Sequence, residues 1–455
     1  AAKPSHPPTA SLSSEGVACG TTDGQSVFSR LMPLMNTAFA PGSCQAAIEG
    51  FADEGMHAVA QAEYYYFSGQ AEEAVRVASG LLAHKDLAVR LSSCLIYAYA
   101  NLPLGNISSA RFALAELRLA LESNTASQSS ENRAAEAFAG FAAAVQAARL
   151  GKSYPMNFAD NALMFRSGNP KPCGDADAIV AQGKKFYEEL SPETAEFFHK
   201  MLDDQLMDLL SPPGKAGGGY CTSLPDYQCP FIFSNFNGTS GDVDVLTHEA
   251  GHAFADFIAS QTVAVRALSC PTMEGAETHS MSMEFLTAPW HHLFFGKLTD
   301  KYELSHAEDA LLFIPYGCLV DHFQEEVYRH PEMTPEERNQ KWLELEGRYR
   351  PYINFDGLPF YGRGAGWQRQ LHIYLYPFYY IDYCMAQVMS LQFYALSLED
   401  REKAWEKYMA FVRQGGTKTF VDLAHSVDLR SPIDQGCVKD VCQAAFQWTE
   451  GHLVE

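Results

Sequence analysis

The chain has 455 residues, of which 47% are hydrophobic, and its formal net charge is −22. This length allows two or three domains with a sizeable core, and the acidic balance argues against binding to nucleic acids or anionic membranes. No run of 18 apolar residues predicts a membrane-spanning helix. The 11 cysteines are scattered without C-x-x-C pairs, which indicates neither a disulfide framework nor a cysteine zinc site and favours a cytoplasmic location.

The N-terminal third divides into a tail and a helical segment. We expect a flexible tail over residues 1–40, whose first part is rich in Ser, Thr, Pro and Gly and lacks the pattern of a signal peptide. Residues 41–155 are Ala-rich with helical periodicity. Gly69 and Gly105 each lie between two apolar helical patterns, 36 residues apart, and this spacing is similar to that of tetratricopeptide repeats. An ordinary helical domain with coincidental spacing is the alternative.

A third unit of this kind is cut short at Gly151, where the run Lys152-Ser153-Tyr154-Pro155 interrupts the helical pattern. Beyond it, a long helical region is predicted over residues 178–210, with a helix start at Ser191. A glycine-rich loop and a short strand over residues 230–236 follow. The loop lacks the order G-x4-G-K-[ST] of a phosphate loop, so we do not expect it to bind phosphate.

The most informative motif is the run His248-Glu249-Ala250-Gly251-His252. On a helix, two histidines four residues apart project from the same face and can bind one metal ion. Glu249 would lie beside that ion, where a base can take a proton from metal-bound water. The two histidines could instead cap carbonyls or face solvent, but their small apolar neighbours predict a buried helix, in which unpaired imidazoles are costly.

A hydrolytic zinc site usually has three protein ligands and an open fourth position. A second helical pattern over residues 271–284 offers four candidates for the third ligand, namely Glu274, Glu277, His279 and Glu284. Glu274 and Glu277 share a helix face, and Glu284 lies two turns further on. Spacing alone does not choose among them.

The runs GGGY, PFIFSNFNGTSGDVDVLTHEAGHAF and PTMEGAETHSMSMEF resemble the oligoendopeptidase F family of zinc metallopeptidases, relatives of thimet oligopeptidase. The resemblance extends from about residue 168 to the C-terminus. It implies a mostly helical, zincin-type catalytic domain with a small β-sheet over residues 156–455. With the helical-repeat N-terminal segment before this domain, the chain is predicted to be mainly α. In that family the third ligand is a Glu 25 residues after the second His, which is Glu277 here. Glu274 and Glu284 then become candidates for orienting the ligand histidines.

The segment from His372 to Tyr383 contains one His and five Tyr within 12 residues. An aromatic helix start packed on a core would explain most of these side chains. In the family, a His and two Tyr spaced three apart donate hydrogen bonds to the transition state. His372, Tyr380 and Tyr383 match these positions, and Tyr376 is a weaker candidate.

The resemblance implies a zinc-dependent endopeptidase that hydrolyses short oligopeptides. One Zn²⁺ would be bound by His248, His252 and Glu277, and Glu249 would be the general base on zinc-bound water. We expect the strand at residues 233–235 to offer a β-edge to the substrate backbone.

The segment upstream of the catalytic domain departs from the family pattern. Family members have a helical lobe of their own in this place, so we expect the repeat-like segment to be of different origin and to bind a protein partner. The alternative function is therefore an interaction protein with a truncated, inactive peptidase half.

Overall fold

The structure is a computed structural model that describes residues 30–34, 44–125, 132–227, 229–452 and 454. It is mainly α-helical with two small sheets, which confirms the predicted fold class. The predicted flexible tail, residues 1–40, lies outside the described residues except for 30–34, where Leu31 and Met32 are buried. No helix among the described residues has the length and apolar character needed to cross a bilayer.

The N-terminal segment is a series of helices that pack against one another in chain order. They are α1 (Cys44–Glu49), α2 (Glu54–Phe67), α3 (Ala71–Ser79), α4 (Leu87–Asn101), α5 (Ile107–Thr125) and α6 (Asn132–Leu150). Gly69 and Gly105 lie in the turns after α2 and α4 with φ angles of 77° and 73°, a conformation that favours glycine. Helix α6 ends before Gly151, where the sequence predicted an interruption.

The described residues from 156 onward include a second group of helices and a small sheet. The helices are α7 (Ala176–Leu190), α8 (Pro192–Asp203), α9 (Gly241–Thr262), α10 (Met273–Leu286), α11 (His291–Phe295), α12 (Thr299–Arg329), α13 (Pro335–Tyr349), α14 (Leu371–Leu375), α15 (Tyr380–Glu399), α16 (Arg401–Val412), α17 (Phe420–Ser426) and α18 (Cys437–Gly451). The strands are β1 (Met156–Asn157), β2 (Met207–Leu210), β3 (Tyr220–Leu224), β4 (Cys229–Phe236) and β5 (Ile353–Asn354). β1 and β5 form a parallel pair of their own.

The predicted helical region over residues 178–210 is correct at its start and wrong at its end. Ser191 begins α8 with a capping box, in which its side chain accepts from the Thr194 N–H. Residues 207–210, however, form β2, because their backbone groups pair with β4 instead of continuing a helix.

The three-stranded sheet has the order β2-β4-β3, with β4 parallel to β2 and antiparallel to β3. The expectation that residues 233–235 offer a free β-edge is therefore wrong, since β4 is paired on both sides. β3 lies at the edge of this sheet, and its register places Tyr220 opposite Phe233. Their rings stack with centroids 4.9 Å apart.

One apolar core joins the N-terminal helices to the catalytic half. Phe138 on α6 packs against Phe446 on α18, with ring centroids 6.0 Å apart. Arg149, near the end of α6, donates two hydrogen bonds of 2.9 and 2.6 Å to Glu308 on α12, and both side chains are buried. Breaking a buried pair of this kind typically costs about 3–5 kcal/mol. The helical segment is therefore fixed firmly to the half that contains the His-Glu-x-x-His motif.

Candidate active site

Helix α9 carries the His-Glu-x-x-His motif. Asp242 fixes its first turn, since its carboxylate accepts the backbone N–H groups of Asn237 and Gly238 at 2.8 and 2.7 Å. The predicted burial is confirmed on the opposite face of the helix, where Leu246, Ala250, Ala253 and Phe254 are fully buried. The rings of His248 and His252 lie on the cavity side with centroids 5.0 Å apart.

Helix α10 passes close to α9 at Gly251. A Cβ at Gly251 would lie 2.7 Å from the Ser280 Cα and 3.0 Å from the His279 carbonyl oxygen, so no larger residue fits without a shift. This close approach brings Glu277 on α10 to both histidines. Its Oε2 lies 3.2 Å from His248 Nε2 and 3.3 Å from His252 Nε2.

The side chains of His248, His252 and Glu277 fit a zinc ion. Their ligand atoms lie within 4.8 Å of one another, and within the described part of the chain no other group of His, Cys, Asp and Glu converges in this way. Two imidazole nitrogens and one carboxylate oxygen form a donor set that zinc prefers in catalytic sites. Although burial raises the pKa of Glu277, the charge of His252 and the hydrogen bonds from both imidazoles hold it well below its usual range.

The other candidates on α10 have different surroundings. Glu284 contacts the second nitrogen of a ligand, since its Oε1 lies 2.6 Å from His248 Nδ1, and its Oε2 lies 2.9 Å from His306 Nε2. Such a contact fixes the orientation of the imidazole. Among the described residues, Glu274 forms no hydrogen bond with either histidine of α9. His279 lines the cavity, and burial lowers its pKa to about 3, so its ring is neutral.

Glu249 lines a cavity of about 450 Å³ together with the three proposed ligands. The side chain is 7% exposed, and its Oε2 has no hydrogen-bond partner among the described residues. Burial raises the pKa of Glu249 above its ordinary value. A carboxylate whose pKa is raised in this way accepts a proton more readily than one in water.

The wall of the cavity opposite α9 is formed by His372, Tyr376, Tyr379 and Tyr383. The turn before α15 sets their positions, because Phe378 has a φ of 62° and its N–H donates to Gln324 Oε1 at 2.9 Å. The hydroxyl of Tyr379 donates to Glu277 Oε1.

Tyr380 lies outside this wall. It lines a neighbouring cavity of about 320 Å³ and packs against Tyr316 with ring centroids 5.8 Å apart. Tyr380 was expected to lie beside the proposed metal ligands, but Tyr379 lies there instead. Tyr379 lies four residues before Tyr383, one helical turn away, and this spacing is the signal in the sequence that could have found it.

A mainly helical fold, in which two crossing helices present a His-His-Glu set beside a buried glutamate, defines a metallopeptidase. The model of peptidase family M3 matches residues 182–440, and the chain belongs to this family. No curated protein matches the chain.

Solved structures of peptidases are similar over most of the chain. PZ peptidase A, solved with an inhibitor, is 34% identical with a TM-score of 0.66, covering 94% of this chain and 84% of that one. A putative oligoendopeptidase F is 35% identical with a TM-score of 0.65, covering 93% and 83%. A putative oligoendopeptidase F from Bacillus anthracis is 33% identical with a TM-score of 0.61, covering 94% and 82%.

This coverage also bears on the N-terminal helices. Because 94% of the chain is aligned with PZ peptidase A, the alignment includes most of residues 41–155. The expectation that this segment has a different origin is therefore not supported. The helices share one core with the catalytic half, as expected of a lobe of the peptidase itself.

Replacing Gly251 with Ala should separate α9 from α10. The added methyl group would meet the backbone of Ser280, and overpacking of this kind typically costs about 1–3 kcal/mol. Zinc affinity should fall as well, because Glu277 would move relative to the two histidines. Urea unfolding and zinc titration measure the two effects.

Gly347→Ala on α13 is the matched control, since a Cβ there meets no atom within 4 Å. It should leave zinc affinity unchanged and raise helix stability slightly. Equal effects of the two substitutions on zinc affinity would contradict the role of Gly251.

Proposed function

We propose that the chain is a zinc-dependent endopeptidase that hydrolyses internal bonds of short oligopeptides. The observation that carries the proposal is the convergence of His248, His252 and Glu277 with the buried, unpartnered carboxylate oxygen of Glu249 in one cavity. One bound Zn²⁺ would polarise the peptide carbonyl and make water acidic. The similar structures named oligoendopeptidase F support the endopeptidase activity and the short substrates.

Glu249 acts as the general base in this proposal. Its free Oε2 accepts a proton from the attacking water, and the protonated carboxyl then passes that proton to the leaving amine. Burial supports both steps, because a raised pKa brings the carboxyl closer to the pH at which it must gain and lose a proton. The hydrogen bond that His248 Nδ1 donates to Glu284 keeps that ring in place meanwhile.

The cavity wall opposite α9 would stabilise the negative charge that develops on the carbonyl oxygen. Gln370 Nε2 donates to His372 Nδ1 at 2.9 Å, so Nε2 of this neutral ring carries the proton and can donate. Burial raises the pKa of Tyr383, which keeps its phenol protonated. We assign the donor role to His372 and Tyr383. Tyr379 already donates its one hydroxyl proton to Glu277 and so holds that ligand in place. Tyr380 supports their packing, with its ring centroid 5.0 Å from that of His372.

The substrate backbone would pair with the outer edge of β3. Residues 219–223 line the cavity, and among the described residues β3 pairs with a strand on only one side. Main-chain hydrogen bonds to a strand edge bind extended peptides with little dependence on their side chains.

Tyr383→Phe should lower kcat by about 100- to 1,000-fold, because one preorganised donor to the oxyanion is lost. KM and zinc content should change little, since Tyr383 belongs to neither the metal set nor the strand edge. Steady-state kinetics and metal analysis measure this. Tyr65→Phe on α2 is the control for the loss of a phenol hydroxyl, and a Tyr383 variant with unchanged kcat would contradict the assignment.

Internally quenched peptides of increasing length, with the products identified by mass spectrometry, test the activity itself. The proposal predicts internal cleavage, with short peptides preferred. Release of terminal residues alone would contradict an endopeptidase, and zinc binding without any hydrolysis would favour the interaction protein with an inactive peptidase half. The cytoplasmic location and a protein partner for residues 41–155 stay predictions.

A further inference from the structure

Asp256 extends the row of functional side chains on α9 by one turn. It follows His252 by four residues, as His252 follows His248, so the three side chains share a helix face. The rise of an α-helix places Asp256 about 6 Å beyond His252 along the axis. Asp256 also lines the cavity that contains the proposed metal ligands, although no step of the proposed hydrolysis uses it.

One oxygen of the Asp256 carboxylate is hydrogen-bonded to β3, and the other is not. Ser223 on β3 donates its hydroxyl to Asp256 Oδ2 at 2.8 Å. Oδ1 has no hydrogen bond, and no Lys, Arg or His nitrogen lies within 4.0 Å of the carboxylate among the described residues. The carboxylate is thus held in place by the strand edge with one acceptor oxygen still available.

The surroundings leave the negative charge of Asp256 largely uncompensated. Among the described residues no Lys or Arg lines the cavity. Apart from the carboxylates and imidazoles at and around the proposed metal site, the side chains of the wall are uncharged, including Cys221, Ser269 and Cys270. The nearest cationic influence is Arg266, which is exposed and forms no ion pair with it. Burial raises the pKa of Asp256, so partial desolvation of the anion is unfavourable in the free protein. An incoming positive charge would offset that cost.

Strand β3 runs from the proposed base to Asp256, so its length gives the distance between Asp256 and the bond that is cleaved. Gly219 lies beside the proposed base, since a Cβ there would be 3.4 Å from Glu249 Oε1, and Ser223 lies beside Asp256. Four residues of a strand span about 13 Å. A peptide paired with this edge would therefore bring residues two to four positions from the scissile bond close to Asp256.

We propose that Asp256 forms a subsite for a positively charged group of the substrate, either a basic side chain or a free N-terminal ammonium, a few residues from the scissile bond. This proposal rests on the proposed peptidase function and specifies its substrate class. A charge-assisted hydrogen bond in a partly desolvated site favours such peptides by about tenfold or more.

The test uses sets of quenched peptides that differ at one position, with Arg in one member and the isosteric, neutral citrulline in the other. A second pair compares a free with an acetylated N-terminus and so distinguishes the two sources of charge. The zinc-loaded protein should show a kcat/KM at least about tenfold higher for the charged member at one position. Asp256→Asn, whose amide oxygen can still accept from Ser223, should abolish that preference by lowering kcat/KM of the charged member to that of its neutral partner.

Asp226→Asn is the matched control, because it removes an exposed negative charge that does not line the cavity. Equal cleavage of charged and neutral peptides at every position, or a preference that survives in Asp256→Asn, would overturn the proposal. Binding of the same peptide pairs to the zinc-loaded Glu249→Gln variant gives a second readout that needs no turnover. If no peptide is hydrolysed but the charged peptides still bind more tightly through Asp256, the subsite stands and the peptidase function fails.

Discussion

Glu249→Gln should lower kcat for peptide hydrolysis by about 100- to 10,000-fold and leave zinc bound. Gln has the size and shape of Glu but cannot take a proton from water, so only the proton transfers are lost. The substitution also places a neutral group where burial disfavours a charge, and the fold should therefore tolerate it. Steady-state kinetics on a quenched peptide, with zinc measured by elemental analysis, separates the two effects.

Glu196→Gln on α8 is the control, since it makes the same change at an exposed position. It should retain wild-type kinetics. A Glu249→Gln protein that keeps full activity would show that another group accepts the proton. A loss of zinc in this variant would instead mean that Glu249 holds the metal.

Glu277→Gln should abolish both tight zinc binding and hydrolysis. The carboxylate is 2% exposed and lies within 3.3 Å of both histidine nitrogens, and a neutral amide replaces it poorly as a zinc ligand. Glu284→Gln is the informative comparison, because Glu284 contacts His248 through the ring nitrogen that faces away from the proposed metal and contacts His306 with its other oxygen. Loss of such an outer contact typically lowers metal affinity about 10- to 100-fold. The loss in Glu277→Gln should be larger.

Competition with a chromogenic chelator measures both affinities. Excess zinc should restore hydrolysis to Glu284→Gln and not to Glu277→Gln. Wild-type zinc affinity in Glu277→Gln would contradict the assigned ligand set. His279 would then be the next candidate for the third ligand. That ring lines the same cavity, and its Nε2 has no hydrogen-bond partner among the described residues.

Helix α9, which carries the His-Glu-x-x-His motif, could be predicted from local sequence. The third proposed metal ligand could not be derived from spacing alone. His248, Glu249 and His252 depend only on the period of one helix. The choice of Glu277 over the other candidates depends on where α10 crosses α9, and the contact at Gly251 decides this. Family resemblance identified Glu277, and the distances agree with it.

The differences between expectation and structure at the cavity wall and in the sheet have the same origin. Tyr379 and Tyr380 are adjacent in sequence, and only the turn at Phe378 and the contact with Glu277 place Tyr379 on the metal side. Strand β4 was predicted from its apolar run. Its central position in the sheet could not be predicted, because strand order depends on contacts between segments far apart in the sequence. β3 is short and largely exposed and gave no such signal.

The N-terminal helices were recognised from their periodicity, but the expectation that they have a different origin is not supported by the alignment with PZ peptidase A. The turns predicted at Gly69 and Gly105 are present, and each joins two helices. The buried pair of Arg149 and Glu308 joins residues 159 positions apart, and no local pattern predicts that contact. This pair and the shared core hold the segment against the half that contains the His-Glu-x-x-His motif.

Zinc titration of the metal-free protein, followed by hydrolysis of a quenched oligopeptide, tests the central claim most directly. The account predicts negligible hydrolysis without metal and a linear rise that ends at one zinc per chain, since the described residues offer one converging ligand set. Full hydrolysis in the metal-free protein would contradict it, and so would one tightly bound zinc without hydrolysis of any peptide.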